Sequence, residues 1–132
     1  MSEIYKNRHA AFNLHVHLVF ITKYRKKILG EPHHDYFSEC AAEVCKSFDA
    51  ELKECNGEAD HIHMLIQYPP TVQLSKLVNN LKSVTSRRMR GDFIDVRAAY
   101  DKPVLWSRSY FASSCGGAPL DIIKQYIQNQ QG

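Results

Sequence analysis

The chain has 132 residues, 44% of them hydrophobic and 23% charged, with 17 Lys+Arg against 14 Asp+Glu for a formal net charge of +3. A single domain of this size buries roughly 65–70% of the surface its unfolded chain exposes, so a core needs neither disulfides nor a structural metal, and disorder is excluded as the dominant state. No stretch approaches the ~18–20 apolar residues of a membrane span, and residues 1–12 lack the apolar middle of a signal peptide, so no membrane contact and a cytoplasmic address are expected.

Hydrophobic periodicity then maps the chain. Phe12, Leu14, Val16, Leu18 and Phe20 alternate strictly, which predicts a long strand over 11–23 with one apolar face. From Asp35 to Phe48 the period changes: Phe37, Ala41, Val44, Cys45 and Phe48 follow the 3-4 spacing of an amphipathic helix. A second strand is expected over 50–57, ending at the Asn56-Gly57 turn signal, and a third over 61–68, cut off by Pro69-Pro70. Val72, Leu77, Leu81 and Val84 form one stripe of a helix over 71–90 with a basic end. Val104, Trp106 and Tyr110-Phe111 predict a fourth strand over 103–113, and Gly116-Gly117 break the chain before a short helix from Pro119 to Gln130. This order, strand-helix-strand-strand-helix-strand plus a terminal helix, is that of an α+β ferredoxin-like βαββαβ sandwich: a four-stranded antiparallel sheet with helices on one face. The chain reads as one domain, 1–132, with a core over 1–115, a hinge at 116–117 and a final helix over 118–131.

The modest net charge hides a partition, because residues 1–30, 31–70 and 71–132 carry +5, −7 and +5. Two basic clusters stand out: Lys23, Arg25, Lys26 and Lys27 around Tyr24, and Lys82, Arg87, Arg88, Arg90 and Arg97. Cations beside aromatics suit a phosphate backbone, while isolated lysines suit an ordinary solvated surface. Cys40, Cys45, Cys55 and Cys115 show no CxxC pair or zinc spacing and read as reduced thiols, the first two on an apolar helical face.

The residues with chemistry to offer are His61 and His63. Side chains two apart on a strand share a face, so both imidazoles project from one side while Ile62, Met64 and Ile66 take the other. Two neutral imidazoles about 6–7 Å apart at the backbone can converge on one cation. His15 and His17 have the same geometry, and spacing separates neither pair from the other or from hydrogen-bonded surface histidines. On the terminal helix Tyr126 and Gln130 stand at i and i+4, hence on one face. A tyrosine hydroxyl is a possible nucleophile and a glutamine oxygen a possible metal ligand, and an aromatic at a helix end also packs without any chemical role.

Four separated strings carry a resemblance: Ala59-Asp60-His61-Ile62-His63-Met64-Leu65-Ile66; His17 to Arg25; Trp106-Ser107-Arg108-Ser109-Tyr110-Phe111; and Gly116-Gly117 followed by Ile123 to Gln130. Together they resemble the single-tyrosine HUH transposases of small prokaryotic insertion sequences, the insertion-sequence-200/605 group, over nearly the whole chain. The resemblance implies a homodimeric enzyme that cleaves and rejoins single-stranded DNA at hairpin-marked ends through a 5′-phosphotyrosine, with active sites shared between subunits. It implies that His61 and His63 are metal ligands for Mg²⁺ or Mn²⁺, that Gln130 completes the site, and that Tyr126 is the nucleophile. His15 matches no family ligand, which separates the two histidine pairs. The family often has Glu where this chain has Gln128, a departure that touches no matched functional residue. Asp60 either orients an imidazole from behind or serves a turn. Lys23, Arg25, Lys26, Lys82, Arg87, Arg88 and Arg90 are the expected contacts to the DNA backbone. Other readings are a non-catalytic single-stranded nucleic-acid module, for which the sheet lacks paired stacking aromatics, a domesticated relative, and a small effector-binding or metal-storage domain in which the tyrosine is incidental.

Overall fold

The computed structural model describes residues 5–6, 11–12, 14–114 and 127–129. A two-residue pair, β1 (Tyr5–Lys6) with β2 (Ala11–Phe12), precedes the main sheet. That sheet comprises β3 (Leu14–Ile21), β4 (Glu51–Gly57), β5 (His61–Tyr68) and β6 (Phe111–Ser114) in the order β4-β5-β3-β6. Every neighbouring pair is antiparallel. With α1 (Glu31–Ser47) and α2 (Leu74–Asp92) as the two crossovers, this is the expected α+β ferredoxin-like sandwich.

The two-residue side-chain period sorts the sheet into two faces. Val16, Leu18 and Phe20 pair in register with Ile66, Met64 and Ile62, and all six are buried against the helices. Phe37, Ala41, Val44 and Cys45 of α1 and Leu77, Val78, Leu81 and Met89 of α2 close over them. Fully burying such a side chain contributes about 1.5–3 kcal/mol relative to exposure, so this layer carries most of the fold's stability. The free thiols of Cys45 and Cys55 are pushed up by burial to about 12 and about 11, which keeps them protonated, and Cys40 is shifted the same way. Cys115 lies outside the described residues.

Several elements differ from the sequence expectation, each for a local reason. Helix α1 begins at Glu31, four residues before Asp35, because Pro32 fits the first turn and His33 Nδ1 accepts the Gly30 N–H at 2.8 Å. A short helix α3 (Ile94–Ala98) follows α2, and His33 Nε2 donates to its Asp95 at 2.9 Å. The strand expected over 103–113 is confined to β6: Pro103 has no N–H to donate, and Trp106 makes only an isolated bridge to Thr22. Trp106 instead enters the core, 5.6 Å from both Phe20 and Phe37, and donates to Thr85 Oγ1 at 3.0 Å. The first strand likewise stops at Ile21. Beyond Thr22 the chain turns through a 3-10 segment (Lys23–Arg25) in which Tyr24 and Arg25 adopt φ of 61° and 54°. Each left-handed non-glycine residue costs about 1–2 kcal/mol. The expected hinge at 116–117 lies outside the described residues, as does most of the terminal helix; residues 127–129 are helical.

Candidate active site

The outer face of the sheet is mixed, with histidines beside the apolar Val19 and Ile21. Val19 pairs with His63 and Ile21 with His61, which puts both histidines, with His15 and His17 further along β3, on the side away from α1 and α2. The tight connection from β4 delivers His61 to this place. Glu58 N donates to His61 O at 2.9 Å, and a Cβ at Gly57 would stand only 2.3 Å from the same oxygen, so only glycine fits.

The rings of His61 and His63 lie 6.4 Å apart at their centroids and 24° from parallel. Asp60 anchors the first of them: its Oδ1 accepts from His61 Nδ1 at 2.9 Å, and Arg25 holds Oδ2 through Nε at 3.2 Å and Nη2 at 3.1 Å. With Nδ1 carrying the donated proton, the Nε2 lone pair of His61 is left to face a ligand. Burial pushes the Asp60 carboxyl up, but the hydrogen bonds and charges of His61 and Arg25 outweigh it and hold it below the usual carboxylate range. Burial, then the neighbouring His61 and His17, holds His63 below the usual histidine range, which favours the neutral form that binds cations. The exposed Glu58 carboxylate lies 4.0 Å from His61 Nε2 at the mouth of the pair. Two imidazoles, one oriented from behind by Asp60, make a donor set that fits a divalent cation. Among the described residues no group of three or more His, Cys, Asp or Glu is arranged to hold a metal ion.

Ile127 is buried on the same face, against Val19 and Ile21, with Phe111 packed alongside. Gln128 O accepts from Arg25 Nη1 at 3.4 Å. The terminal segment at 127–129 and the carboxylate behind His61 therefore share one guanidinium. Tyr126 and Gln130 lie outside the described residues. His15 is buried on this face as well, and its Nδ1 has no hydrogen-bond partner among the described residues.

The expected DNA contacts separate into distinct groups. Arg25 is committed to Asp60 and Gln128. Lys26 Nζ donates to Ala99 O and lies 4.9 Å from the Tyr100 ring centre. Lys82 donates to Ser107 O at 2.7 Å and Arg108 O at 2.9 Å, and burial followed by the nearby Lys23 lowers its ammonium from the ordinary lysine value. Lys82 and Arg90 line one groove of about 400 Å³ with Ser83, Ser86 and Trp106. Arg87 is exposed, whereas Arg88 turns to α1, 3.5 Å from Glu43 and over the Tyr36 ring. Lys23 lines a second cleft with Tyr24 and Tyr100. Sequence reasoning missed the link from Arg25 to Asp60 and the carboxylate of Glu58; the turn residues directly after an apolar strand and directly before His61 were the available signals.

This geometry defines an outward-facing histidine pair on a ferredoxin-like sheet, and comparison with known proteins places it. Residues 10–130 match the family model described as "Transposase IS200 like". The transposase for insertion sequence element IS200 of Salmonella typhimurium is 28% identical over 122 residues, covering 92% of this chain and 80% of that protein. The ISDra2 transposase TnpA of Deinococcus radiodurans is 24% identical over 128 residues, covering 97% and 91%. A crystal structure provisionally assigned as a transposase from Deinococcus radiodurans R1 superposes with a TM-score of 0.85 at 26% identity, covering 97% of this chain and 98% of that one. A REP-associated tyrosine transposase bound to a REP hairpin shares the fold, with a TM-score of 0.55 at 12% identity over 96% of this chain and 68% of that one. The chain belongs to the IS200-like transposase family, and transposase function follows at that level. Among the described residues no helix is long and apolar enough to cross a membrane.

Proposed function

We propose that this protein cleaves and rejoins single-stranded DNA at hairpin-marked ends of a mobile element, with Tyr126 as nucleophile and His61, His63 and Gln130 as ligands of Mg²⁺ or Mn²⁺. The observation that carries this reading is the shared face: the histidine pair, with His61 fixed by Asp60, occupies the side of the sheet on which the 127–129 segment docks. A phosphodiester resists attack because its anionic oxygens repel a nucleophile; His61, His63 and Gln130 would hold a divalent cation that, when bound, would supply positive charge against this repulsion. The Tyr126 hydroxyl then forms an O–P bond as the P–O3′ bond breaks, leaving a 3′-OH and a 5′-phosphotyrosine. Because a phenolate with a pKa near 10 is a fair leaving group, the phosphotyrosine keeps the linkage energy, and a 3′-OH attacking it reseals the strand without ATP. Imidazoles and a carboxamide are neutral ligands, so the residues alone would hold a divalent cation weakly.

The working unit in this reading is a cytoplasmic homodimer of single-domain chains, core 1–115, hinge 116–117 and tyrosine helix 118–131, with active sites shared between subunits. Binding to DNA hairpins is supported by the hairpin-bound relative of the same fold and by the basic groove around Lys82 and Arg90. The test is incubation with a labelled single-stranded hairpin and Mn²⁺. Wild type forms a covalent protein–DNA adduct and releases a strand ending in 3′-OH; His61→Ala and His63→Ala bind the hairpin without cleaving it. Tight binding by wild type with no adduct would identify a non-catalytic single-stranded DNA module instead.

A further inference from the structure

The turn after β3 holds a cleft that the proposed chemistry leaves unused. Its volume is about 430 Å³, within the range that takes a small ligand, and Lys23, Tyr24, Tyr100, Asp101, Lys102 and Arg108 line it. Tyr24 is 64% exposed, with its backbone in the left-handed region. Arg25, the other left-handed residue of the turn, gains the Asp60 ion pair; Tyr24 gains little packing, so its strained backbone serves to hold an aromatic ring out toward solvent. Tyr100 stands beside it, ring centroids 6.5 Å apart, and fixes the cleft wall by donating to Lys23 O at 2.7 Å. Lys102 and Arg108 are exposed lining residues, and three cations outnumber the single carboxylate in the lining.

We propose that this cleft takes one unpaired nucleotide of the single-stranded substrate, its base against Tyr24 and Tyr100 and its phosphate among Lys23, Lys102 and Arg108. The inference rests on the reading of the protein as a single-stranded DNA enzyme and adds a base-holding site to it. An aromatic wall with a cationic rim suits an unstacked base, since a duplex keeps its base faces covered. The position links the cleft to the chemistry. Thr22 N donates to Asp60 O at 3.0 Å, and Arg25 holds the carboxylate that fixes His61. A nucleotide on Tyr24 would therefore sit on the same turn that supplies Arg25 to the carboxylate behind His61.

The test uses the full chain and a single-stranded hairpin whose flank carries 2-aminopurine at one position at a time. Wild type is expected to quench one flank position strongly on binding. Tyr24→Asn removes the ring with a residue that tolerates the left-handed backbone; it loses that quenching and binds roughly 10- to 100-fold more weakly, whereas Tyr24→Phe keeps both. Should Tyr24→Asn fail to fold, Lys102→Gln with Arg108→Gln, both at exposed positions, lowers the slope of log affinity against log salt by about 1–2. A Tyr24→Asn protein with wild-type affinity and quenching, or an unchanged salt slope in the double variant, overturns the cleft alone when wild type still forms its covalent adduct. A wild type that neither binds the hairpin nor forms an adduct overturns the transposase reading and the cleft with it.

Discussion

Replacing Asp60 by Asn tests whether the carboxylate behind His61 matters for metal binding as well as for folding. The Asp60 side chain is 10% exposed and makes three contacts of 2.9, 3.2 and 3.1 Å to His61 and Arg25. Asparagine keeps the shape and one acceptor but loses the charge and the two-pronged Arg25 contact. Because the Arg25 side chain is 31% exposed, solvent screens its half of the pair, and the loss of stability is about 1–2 kcal/mol, well short of the cost of breaking a fully buried pair. The larger effect is on the imidazole. With its Nδ1 proton no longer held by an anion, His61 samples the wrong tautomer and orientation, and metal affinity falls roughly 10- to 100-fold. Urea unfolding at pH 7 reads the first quantity, and the Mn²⁺ concentration for half-maximal hairpin cleavage reads the second. A variant that is destabilised but has an unchanged Mn²⁺ midpoint would show that Asp60 serves the turn and not the metal site.

Gly57→Ala forces a Cβ to within 2.3 Å of the His61 carbonyl, so the β4–β5 connection must shift; a loss of about 1–3 kcal/mol in unfolding free energy is expected, and wild-type stability would show that the connection yields freely. Burial raises the Tyr100 phenol to about 12, so its neutral form stabilises the fold. That contribution is present below the unfolded value near 10 and is lost as pH rises from 10 to 12; because the phenol is only half-buried and solvent screens it, wild type is expected to lose about 1 kcal/mol relative to Tyr100→Phe between pH 9 and 11.5, and a constant difference would contradict the assignment. Mixing Tyr126→Phe with His63→Ala subunits restores cleavage if each site combines the histidines of one chain with the tyrosine of the other, and leaves the mixture inactive if each chain completes its own site.

The sheet was legible because one of its faces is uniformly apolar: Val16, Leu18 and Phe20 recur every second residue, as do Ile62, Met64 and Ile66, and this period of two also assigns His61 and His63 to a common side. Long-range contacts were not legible. Trp106 looked like a strand residue because its neighbours are apolar, yet its indole seeks Thr85 and the Phe20–Phe37 pair, which only the folded chain brings together. Arg25 sat within a basic run that suggested phosphate binding, and its partner Asp60 is 35 residues away. Helix α3 is too short for a period to register. The left-handed backbone at Tyr24 has no glycine or asparagine to announce it.

The account stands most directly on the identity of the residue that becomes attached to DNA. After reaction with a hairpin substrate and Mn²⁺, nuclease and protease digestion followed by mass spectrometry is expected to find the residual nucleotide on the peptide containing Tyr126, and Tyr126→Phe is expected to abolish it. A nucleotide carried by any other side chain, or an adduct of undiminished yield in Tyr126→Phe, would contradict the proposed mechanism.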